Sequence, residues 1–263
     1  MKKLEFENST IAYTDQGEGE PIVLLHGFCG SSQYWEEVVP ELSKNYRVIV
    51  PDLPGHGQSD PFEDTCTIDD FANRIKGLLD ELTIQKVTMF GHSLGGYITL
   101  AFAEKYSDRL KGFSLVHSTA FPDSDEAKKG RDANAEKIKH EGIQPLIEGL
   151  IPKLFSADHQ NETYVETAKK IGFATPPQGA IGTLIAMKDR PDRNKVLETT
   201  NLPVLLIAGE HDQIIPAEKT FSVKKATIRQ SVIKNAGHMS MYEEPKELIS
   251  DMKLFLSSIY ECC

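Results

Sequence analysis

The 263-residue sequence has few cysteines and no long apolar run. Its four cysteines, Cys29, Cys66, Cys262 and Cys263, form no Cys-x-x-Cys pair and no metal-type cluster. No segment reaches the roughly 18 consecutive apolar residues that a membrane-spanning helix requires. The N-terminal residues carry charges where a secretory signal has its apolar core. We therefore expect a cytoplasmic protein that has no metal site and does not enter a membrane.

The sequence also has no excess of basic over acidic residues. The chain has 29 Lys and Arg against 39 Asp and Glu, which gives a net charge of −10. The negative field of a phosphate backbone or an anionic membrane repels such a protein, so nucleic acid and membrane are not expected as partners. Composition leaves the oligomeric state unknown. With 40% hydrophobic residues, the chain has the composition of an ordinary globular protein.

Strand-like and helix-like segments alternate along most of the chain. Short apolar runs predict strands at 11–14, 22–25, 47–50, 86–90, 112–117, 204–208 and 231–233. Amphipathic stretches between them predict helices at 33–42, 68–82, 93–106, 217–226 and 243–259. Continuous apolar runs are typical of strands that helices cover on both faces. The alternation therefore predicts an α/β fold with a mainly parallel sheet.

Residues 121–194 break this alternation. They contain no convincing strand, only helix-like stretches at 125–140, 144–154, 161–171 and 179–188, which prolines separate. We therefore predict an all-helical insertion. In this division, residues 1–120 and 195–263 form the α/β core and residues 121–194 form the insertion.

One short motif carries a candidate nucleophile. Residues 91–95 read GHSLG, so Ser93 lies between two glycines, after the predicted strand at 86–90 and before helix-like sequence. Glycines on both sides allow a sharp strand-to-helix turn that lifts the hydroxyl above the sheet. The N-terminus of the following helix also favours negative charge there. Because three fixed positions match by chance in many chains, the motif indicates catalysis only together with partner residues.

A serine hydroxyl is a poor nucleophile at neutral pH, so it requires a base and a group that orients the base. Among eight histidines, His238 is the candidate base, because its loop lies between the last predicted strand and the last predicted helix. His117 lies at a strand end and is a rival that is expected to line a pocket. His92, next to the serine, is interpreted as structural.

Asp212 is the candidate orienting acid, because it lies in the loop directly after the predicted strand at 204–208. Glu210 and Asp123 are rival acids. With Asp212, the chain order is serine, acid, histidine, as in hydrolases with a nucleophile on a strand-to-helix turn.

The reaction also requires donors for the oxyanion of a tetrahedral intermediate, a contribution of several kcal/mol. Phe28 follows a predicted strand through a His-Gly pair, and Leu94 follows Ser93. We predict that the backbone N–H groups of Phe28 and Leu94 form the oxyanion hole. Cys29, next to Phe28, is expected to be semi-buried near the pocket mouth or beneath the insertion.

Taken together, these segments resemble the α/β-hydrolase superfamily over nearly the whole chain outside the insertion. The matching segments are LHGF (25–28), DLPGHGQS (52–59), GHSLG (91–95), GEHD (209–212) and GH (237–238). The resemblance implies an eight-stranded sheet whose second strand is antiparallel, a helical cap inserted after the sixth strand, and a Ser-Asp-His triad beneath that cap. Within the superfamily, the chain is most similar to small bacterial carboxylesterases and related cap-bearing hydrolases.

The resulting hypothesis is hydrolysis of a small carboxylic ester through an acyl-enzyme intermediate on Ser93, with no metal or organic cofactor. Dehalogenases and epoxide hydrolases of this fold use an aspartate nucleophile, so the serine argues against both. A lactonase, a thioesterase, a carbon–carbon bond hydrolase and a perhydrolase are alternatives within the enzyme class. A non-catalytic small-ligand receptor or signalling protein is the alternative outside it, since a complete triad does not exclude a binding role.

Overall fold

An eight-stranded sheet forms the centre of the computed structural model, which describes residues 1–6, 9–157 and 161–260. The strands are β1 (Lys2–Phe6), β2 (Ser9–Gln16), β3 (Glu20–Leu25), β4 (Tyr46–Pro51), β5 (Val87–His92), β6 (Leu110–Val116), β7 (Val204–Gly209) and β8 (Ile228–Ile233). Their spatial order is β1-β2-β4-β3-β5-β6-β7-β8. Strand β2 is antiparallel to both of its neighbours, and the remaining pairs are parallel. The predicted fold class is therefore confirmed.

The central strands follow from their continuous apolar sequence. Every residue of β5 and of β7 is buried, and β6 is buried at all but one position. Helices cover both faces of a parallel sheet, so these strands have no solvent face that requires polar residues. Their carboxyl ends meet at one edge of the sheet, which is where α/β folds bind ligands.

The helices are α1 (Val39–Leu42), α2 (Ile68–Glu81), α3 (Leu94–Lys105), α4 (Asp125–Glu141), α5 (Gln144–Leu154), α6 (Glu162–Phe173), α7 (Pro177–Lys188), α8 (Asn194–Thr199), α9 (Ala217–Thr220), α10 (Ser240–Glu243) and α11 (Pro245–Tyr260). Helix α3 packs against α2 and α8, whereas α11 packs against α1 and α10. No helix within the described ranges has the length and apolar character needed to cross a membrane.

Helices α4 to α7 lie within the predicted insertion, residues 121–194, between β6 and β7, and α8 follows at its end. Helix α4 packs on α7, and α5 packs on α6. Two backbone contacts join this insertion to the loops at the carboxyl edge of the sheet. The His238 N–H donates to the Leu154 carbonyl at 2.7 Å. A Cβ atom on Gly179 would lie 2.1 Å from the Gly55 carbonyl oxygen, so the two glycine backbones touch.

Some predicted bounds are wrong for local reasons. The predicted helix at 33–42 is a short 3-10 helix, Ser32–Trp35, followed by α1, because Pro40 cannot continue a helix from the preceding turn. The helix predicted at 243–259 is α11, which begins two residues later at Pro245, because proline is favoured in the first turn of a helix. The helix predicted at 217–226 ends at Thr220. Residues Cys262 and Cys263 lie outside the described ranges.

Candidate active site

Ser93 lies on the sharp turn between β5 and α3. Its backbone has φ 51° and ψ −112°, a conformation that a residue with a side chain rarely adopts. The Ser93 N–H donates to the Val116 carbonyl at 2.9 Å, and its own carbonyl accepts from Ser118 Oγ at 2.7 Å. Hydrogen bonds on both sides therefore hold the strained residue, as is common at functional sites.

The glycines on either side of Ser93 are required by close backbone approach. A Cβ atom on Gly91 would lie 2.2 Å from the Gly95 carbonyl oxygen. A Cβ atom on Gly95 would lie 2.6 Å from the Leu25 carbonyl oxygen. Strand β5, helix α3 and strand β3 thus pack so closely at the turn that only hydrogen fits at these two positions.

The structure brings Asp212 and His238 together from the loops after β7 and β8. His238 Nδ1 lies 2.7 Å from Asp212 Oδ2 within hydrogen-bonding geometry, and both side chains are buried. The other carboxylate oxygen, Oδ1, accepts the N–H groups of Ile214 and Ile215, each at 2.9 Å. Burial alone would raise the pKa of Asp212, but the neighbouring His238 and His117 outweigh it, and the pKa lies well below its usual range. Asp212 is therefore an ionised acceptor.

His117 is a second histidine on the same carboxylate, which sequence reasoning considered only as a pocket-lining rival. Its Nδ1 lies 3.3 Å from Asp212 Oδ2, without the alignment of a hydrogen bond. Its Nε2 lies 2.6 Å from Ser240 Oγ, within hydrogen-bonding geometry. Burial lowers the pKa of His117 despite the attraction of Asp212, so the ring is neutral near pH 7. Its position at a strand end was the available signal.

The rival acids lie in other contacts. Asp123 pairs with Arg131 and Arg190 in the insertion. Glu210 accepts the backbone N–H of Asn235 at 3.1 Å. His92 has Nε2 at 2.9 Å from the His238 carbonyl, which supports a role in holding the loop.

The two predicted oxyanion donors lie at adjacent turns. Leu94 is the first residue of α3, so its N–H has no partner within the helix. Phe28 belongs to a turn in which the Gly30 N–H donates to the Gly27 carbonyl at 3.1 Å. The Phe28 N–H takes no part in the hydrogen bond that closes this turn. Cys29, the next residue of the turn, has φ 53°.

A cavity of about 90 Å³ lies between these turns and the insertion. Ser93, His238 and Phe28 line it from the core. The insertion contributes apolar side chains and one charged side chain, which are those of Leu150, Leu154, Met187 and Arg131. Arg131 is not predictable from the sequence, since an arginine on an amphipathic helix gives no signal of its own.

Glu243, at the end of α10, joins the His238 loop to the insertion. Its Oε2 accepts the N–H groups of Gly237 at 2.9 Å and Met239 at 3.1 Å, the two neighbours of His238. Its Oε1 accepts the N–H of Ser156, just after α5, at 2.6 Å. Burial raises the pKa of Glu243, although these three N–H groups oppose the shift. Glu243 thus fixes the backbone on both sides of the histidine.

The same cluster has the residue types of a metal site. Ligand atoms of His117, Asp212 and His238 lie within 4.8 Å of one another. Two ligands of one tetrahedral zinc ion lie about 3.3 Å apart when each bond is about 2.0 Å. The 2.7 Å between His238 Nδ1 and Asp212 Oδ2 is shorter and suits a shared proton. The arrangement thus favours a hydrogen-bonded pair over an ion.

Cys29 is more deeply buried than expected. Its side chain has no exposed area, so the expectation of a semi-buried thiol is wrong. The side chain packs in the hydrophobic core, in a turn where Cys29 has φ 53°. Burial raises the pKa of the thiol, and the neighbouring Thr175 of the insertion offsets this shift only in part. The thiol is therefore inert.

Known proteins resemble this chain over nearly its whole length. A family profile described as the alpha/beta hydrolase fold matches residues 20–245. The structure of a thermophilic esterase from Thermogutta terrifontis is 31% identical, with a TM-score of 0.94 and 98% of each chain covered. An enol-lactonase from Burkholderia xenovorans is 25% identical, with a TM-score of 0.91, covering 97% of this chain and 100% of that one. The curated 3-oxoadipate enol-lactonase 1 of Acinetobacter baylyi is 27% identical over 92% of this chain and 91% of its own.

These similarities and the sheet topology agree with the resemblance seen in the sequence motifs. The chain is therefore a hydrolase of the α/β-hydrolase fold family.

Proposed function

We propose that the chain is a serine hydrolase that cleaves small carboxylic esters through an acyl-enzyme intermediate, with Ser93, His238 and Asp212 as its triad. The observation that carries the proposal is the buried pair of His238 Nδ1 and Asp212 Oδ2 at 2.7 Å, beside a cavity that Ser93 also lines. A carboxylate on Nδ1 fixes the tautomer in which Nε2 accepts a proton.

In the first half of the reaction, His238 Nε2 takes the proton of Ser93 Oγ as that oxygen attacks the ester carbonyl carbon. The carbonyl oxygen becomes an oxyanion, which accepts hydrogen bonds from the Phe28 and Leu94 N–H groups. The tetrahedral intermediate then collapses. His238 gives its proton to the leaving alcohol, and the acyl group remains on Ser93.

In the second half, water attacks the acyl-enzyme while His238 again accepts a proton. The same two N–H groups hold the oxyanion, and collapse releases the carboxylic acid while His238 gives its proton to Ser93 Oγ, which restores the hydroxyl. Asp212 stays ionised throughout and stabilises the imidazolium that forms at each step. None of these steps uses a metal or an organic cofactor.

The division of the chain is part of the proposal. Residues 1–120 and 195–263 supply the catalytic groups, and residues 121–194 form a cap that supplies apolar cavity walls. A cavity of about 90 Å³ suits a short acyl group. A small-molecule substrate and a cytoplasmic location complete the proposal.

A lactonase is the second candidate. A lactone is an internal ester, so the same groups open it by the same steps. Two of the similar proteins bear the name enol-lactonase, which favours this candidate over a thioesterase or a perhydrolase.

The test is Ser93→Ala, assayed on a short-chain aryl ester, with Ser258→Ala as the matched control. Ser258 lies on α11, where its Oγ donates to the Phe255 carbonyl of its own helix. We expect Ser93→Ala to fold and to lose turnover, and the control to retain it. A phosphonate ester should label Ser93 covalently in the wild type, as mapped by peptide mass spectrometry. Turnover that survives in Ser93→Ala, or a wild type that binds esters without turning them over, would contradict the proposal.

A further inference from the structure

Arg131, on α4, has a permanent charge and lines the same cavity as Ser93 and His238. Its side chain is 22% exposed, so it is accessible without lying free in solvent. The chain as a whole carries a net charge of −10, so a positively charged side chain at this cavity is opposite in sign to the net charge of the protein. The proposed hydrolytic steps make no use of it.

The charge of Arg131 is only half neutralised by its partner. Asp123 accepts hydrogen bonds from Arg131 Nε at 2.5 Å and Nη2 at 3.4 Å, and from Arg190 Nη1 at 2.7 Å. Burial would raise the pKa of Asp123, but the two arginines outweigh it and the pKa is lowered, so the carboxylate is ionised. One negative charge between two positive charges leaves one positive charge in excess.

Arg190 is held in place by other contacts. Its Nη1 also donates to the Met187 carbonyl at 2.7 Å, and its Nη2 donates to the Phe121 carbonyl at 3.1 Å. Its guanidinium carbon lies 3.9 Å from the centre of the Tyr97 ring, and its side chain is 5% exposed. The accessible part of the excess charge therefore lies on Arg131.

Arg131 has donors left for a ligand. A guanidinium carries five N–H groups, and the contacts with Asp123 use one on Nε and one on Nη2. The remaining groups lie on Nη1 and Nη2. This flat pair of donors suits two-point binding of a carboxylate, and the contact with Asp123 already orients the plane.

We propose that Arg131 binds a carboxylate on the substrate, so that the preferred substrates are esters or lactones whose acyl part ends in a carboxylate. This inference rests on the proposed ester hydrolysis and names its substrate class. The anionic end lies against the insertion, while the ester carbonyl lies at Ser93 on the opposite wall of the cavity.

The test compares methyl hydrogen glutarate with methyl pentanoate, which differ by a terminal carboxylate in place of a methyl group. Hydrolysis is followed by acid release at constant pH. We expect the wild type to have the higher kcat/KM on the glutarate ester. Arg131→Gln should lower the ratio of the two kcat/KM values by about 10- to 100-fold, the effect of a hydrogen bond to a charged group. Asp123 keeps Arg190 as its partner in this variant, so no buried charge is left unpaired.

Lys188→Gln is the matched control. Lys188 lies on α7, which packs on α4, and pairs with Asp132 at 2.8 Å. The substitution Lys188→Gln removes one positive charge from the same part of the insertion. The ratio of the two kcat/KM values should stay at the wild-type value. If the ratio falls equally in Arg131→Gln and Lys188→Gln, Arg131 acts only through the net charge of the insertion and the carboxylate site is overturned. An unchanged ratio in Arg131→Gln would also overturn the proposal.

Binding without turnover separates this inference from the proposed reaction. Ser93→Ala should bind methyl hydrogen glutarate in calorimetry, and the double variant Ser93→Ala/Arg131→Gln should bind it about tenfold more weakly or worse. Equal binding by both proteins would overturn the carboxylate site whether or not hydrolysis is observed. If the wild type hydrolyses neither ester, the proposed reaction is overturned. The calorimetry then still tests whether Arg131 binds a carboxylate.

Discussion

His117 Nδ1 lies 3.3 Å from Asp212 Oδ2, the carboxylate oxygen that His238 also contacts. Two buried histidines thus share one acid, but only His238 lines the cavity with Ser93. The Nε2 atom of His117 is held by Ser240 at 2.6 Å. His117 therefore packs against Asp212 without a hydrogen bond to it, whereas His238 makes that bond and has a ring nitrogen left for the reaction.

The first prediction separates these two histidines. His117→Asn is compatible with the backbone, because φ at this position is 47° and asparagine tolerates positive φ. We expect it to fold and to lower kcat/KM by about tenfold or less, the scale of one hydrogen bond. His238→Ala should lower it by more than about 1,000-fold, because base and nucleophile act as a unit. Steady-state kinetics on one ester checks both, and the reverse order of damage would assign the base to His117.

The second prediction concerns Glu243. In Glu243→Gln, one carboxylate oxygen becomes an NH₂ group that faces an N–H donor, either at Ser156 or at the His238 loop. We expect kcat to fall by about tenfold, the scale of one lost hydrogen bond to a charged group. Amide hydrogen exchange should accelerate at Ser156 or at Gly237 and Met239.

Glu244→Gln is the matched control, since it removes the same charge from the next residue. It should match the wild type in kcat and in exchange. Unchanged exchange at both segments in Glu243→Gln would show that this carboxylate does not hold them.

The third prediction concerns the glycines of the turn at Ser93. Gly91→Ala places a Cβ 2.2 Å from the Gly95 carbonyl oxygen and 2.4 Å from Thr99 Oγ1. We expect a loss of about 3 kcal/mol or more in the free energy of unfolding, as for severe overpacking. Gly149→Ala, in α5, meets nothing within 4 Å and should gain about 0.5–1 kcal/mol from helix propensity. Urea unfolding measures both, and equal effects would contradict the close approach at Gly91.

Sequence patterns predict those parts of the site that depend on local structure. Ser93 follows from a strand, a glycine turn and a helix within a few residues, and Asp212 and His238 follow from loops after buried strands. Glu243 does not follow in this way, because the Ser156 N–H that it accepts comes from a distant part of the chain. Arg131 does not follow either, because the cavity that it lines together with Ser93 forms only in the tertiary fold. Glu243 contacts Ser156 across 87 residues, and only the tertiary fold brings them together.

The same distinction applies to the fold. Central strands such as β7 are predictable because burial on both faces leaves a continuous apolar run. Strand β1, with sequence KKLEF, was not predicted, because it lies at the edge of the sheet and has one neighbour, β2. An edge strand keeps polar and charged residues, so its sequence resembles that of a loop.

The last prediction concerns stability at acid pH. His26 and His56 are buried beside the predicted oxyanion turn. Burial lowers the pKa of His26 to about 4, and burial together with the neighbouring His26 lowers that of His56 to about 3. The geometry agrees for His26, whose Nε2 accepts the Leu53 N–H at 2.9 Å and is therefore unprotonated.

At acid pH these two rings take up protons in the unfolded chain but not in the folded protein. The free energy of unfolding therefore falls as pH falls. The loss begins near pH 6.5, the usual histidine pKa, and continues to about pH 4 for His26 and about pH 3 for His56. Each ring contributes about 1.4 kcal/mol per pH unit within its window.

Urea unfolding at pH 7, 6, 5 and 4.5 measures the slope. His56→Phe keeps an aromatic ring and removes one proton site, so its slope should be shallower by one such contribution, whereas the exposed control His140→Gln should keep the wild-type slope. A slope for His56→Phe equal to that of the wild type would show that His56 takes up its proton as readily in the folded protein as in the unfolded chain.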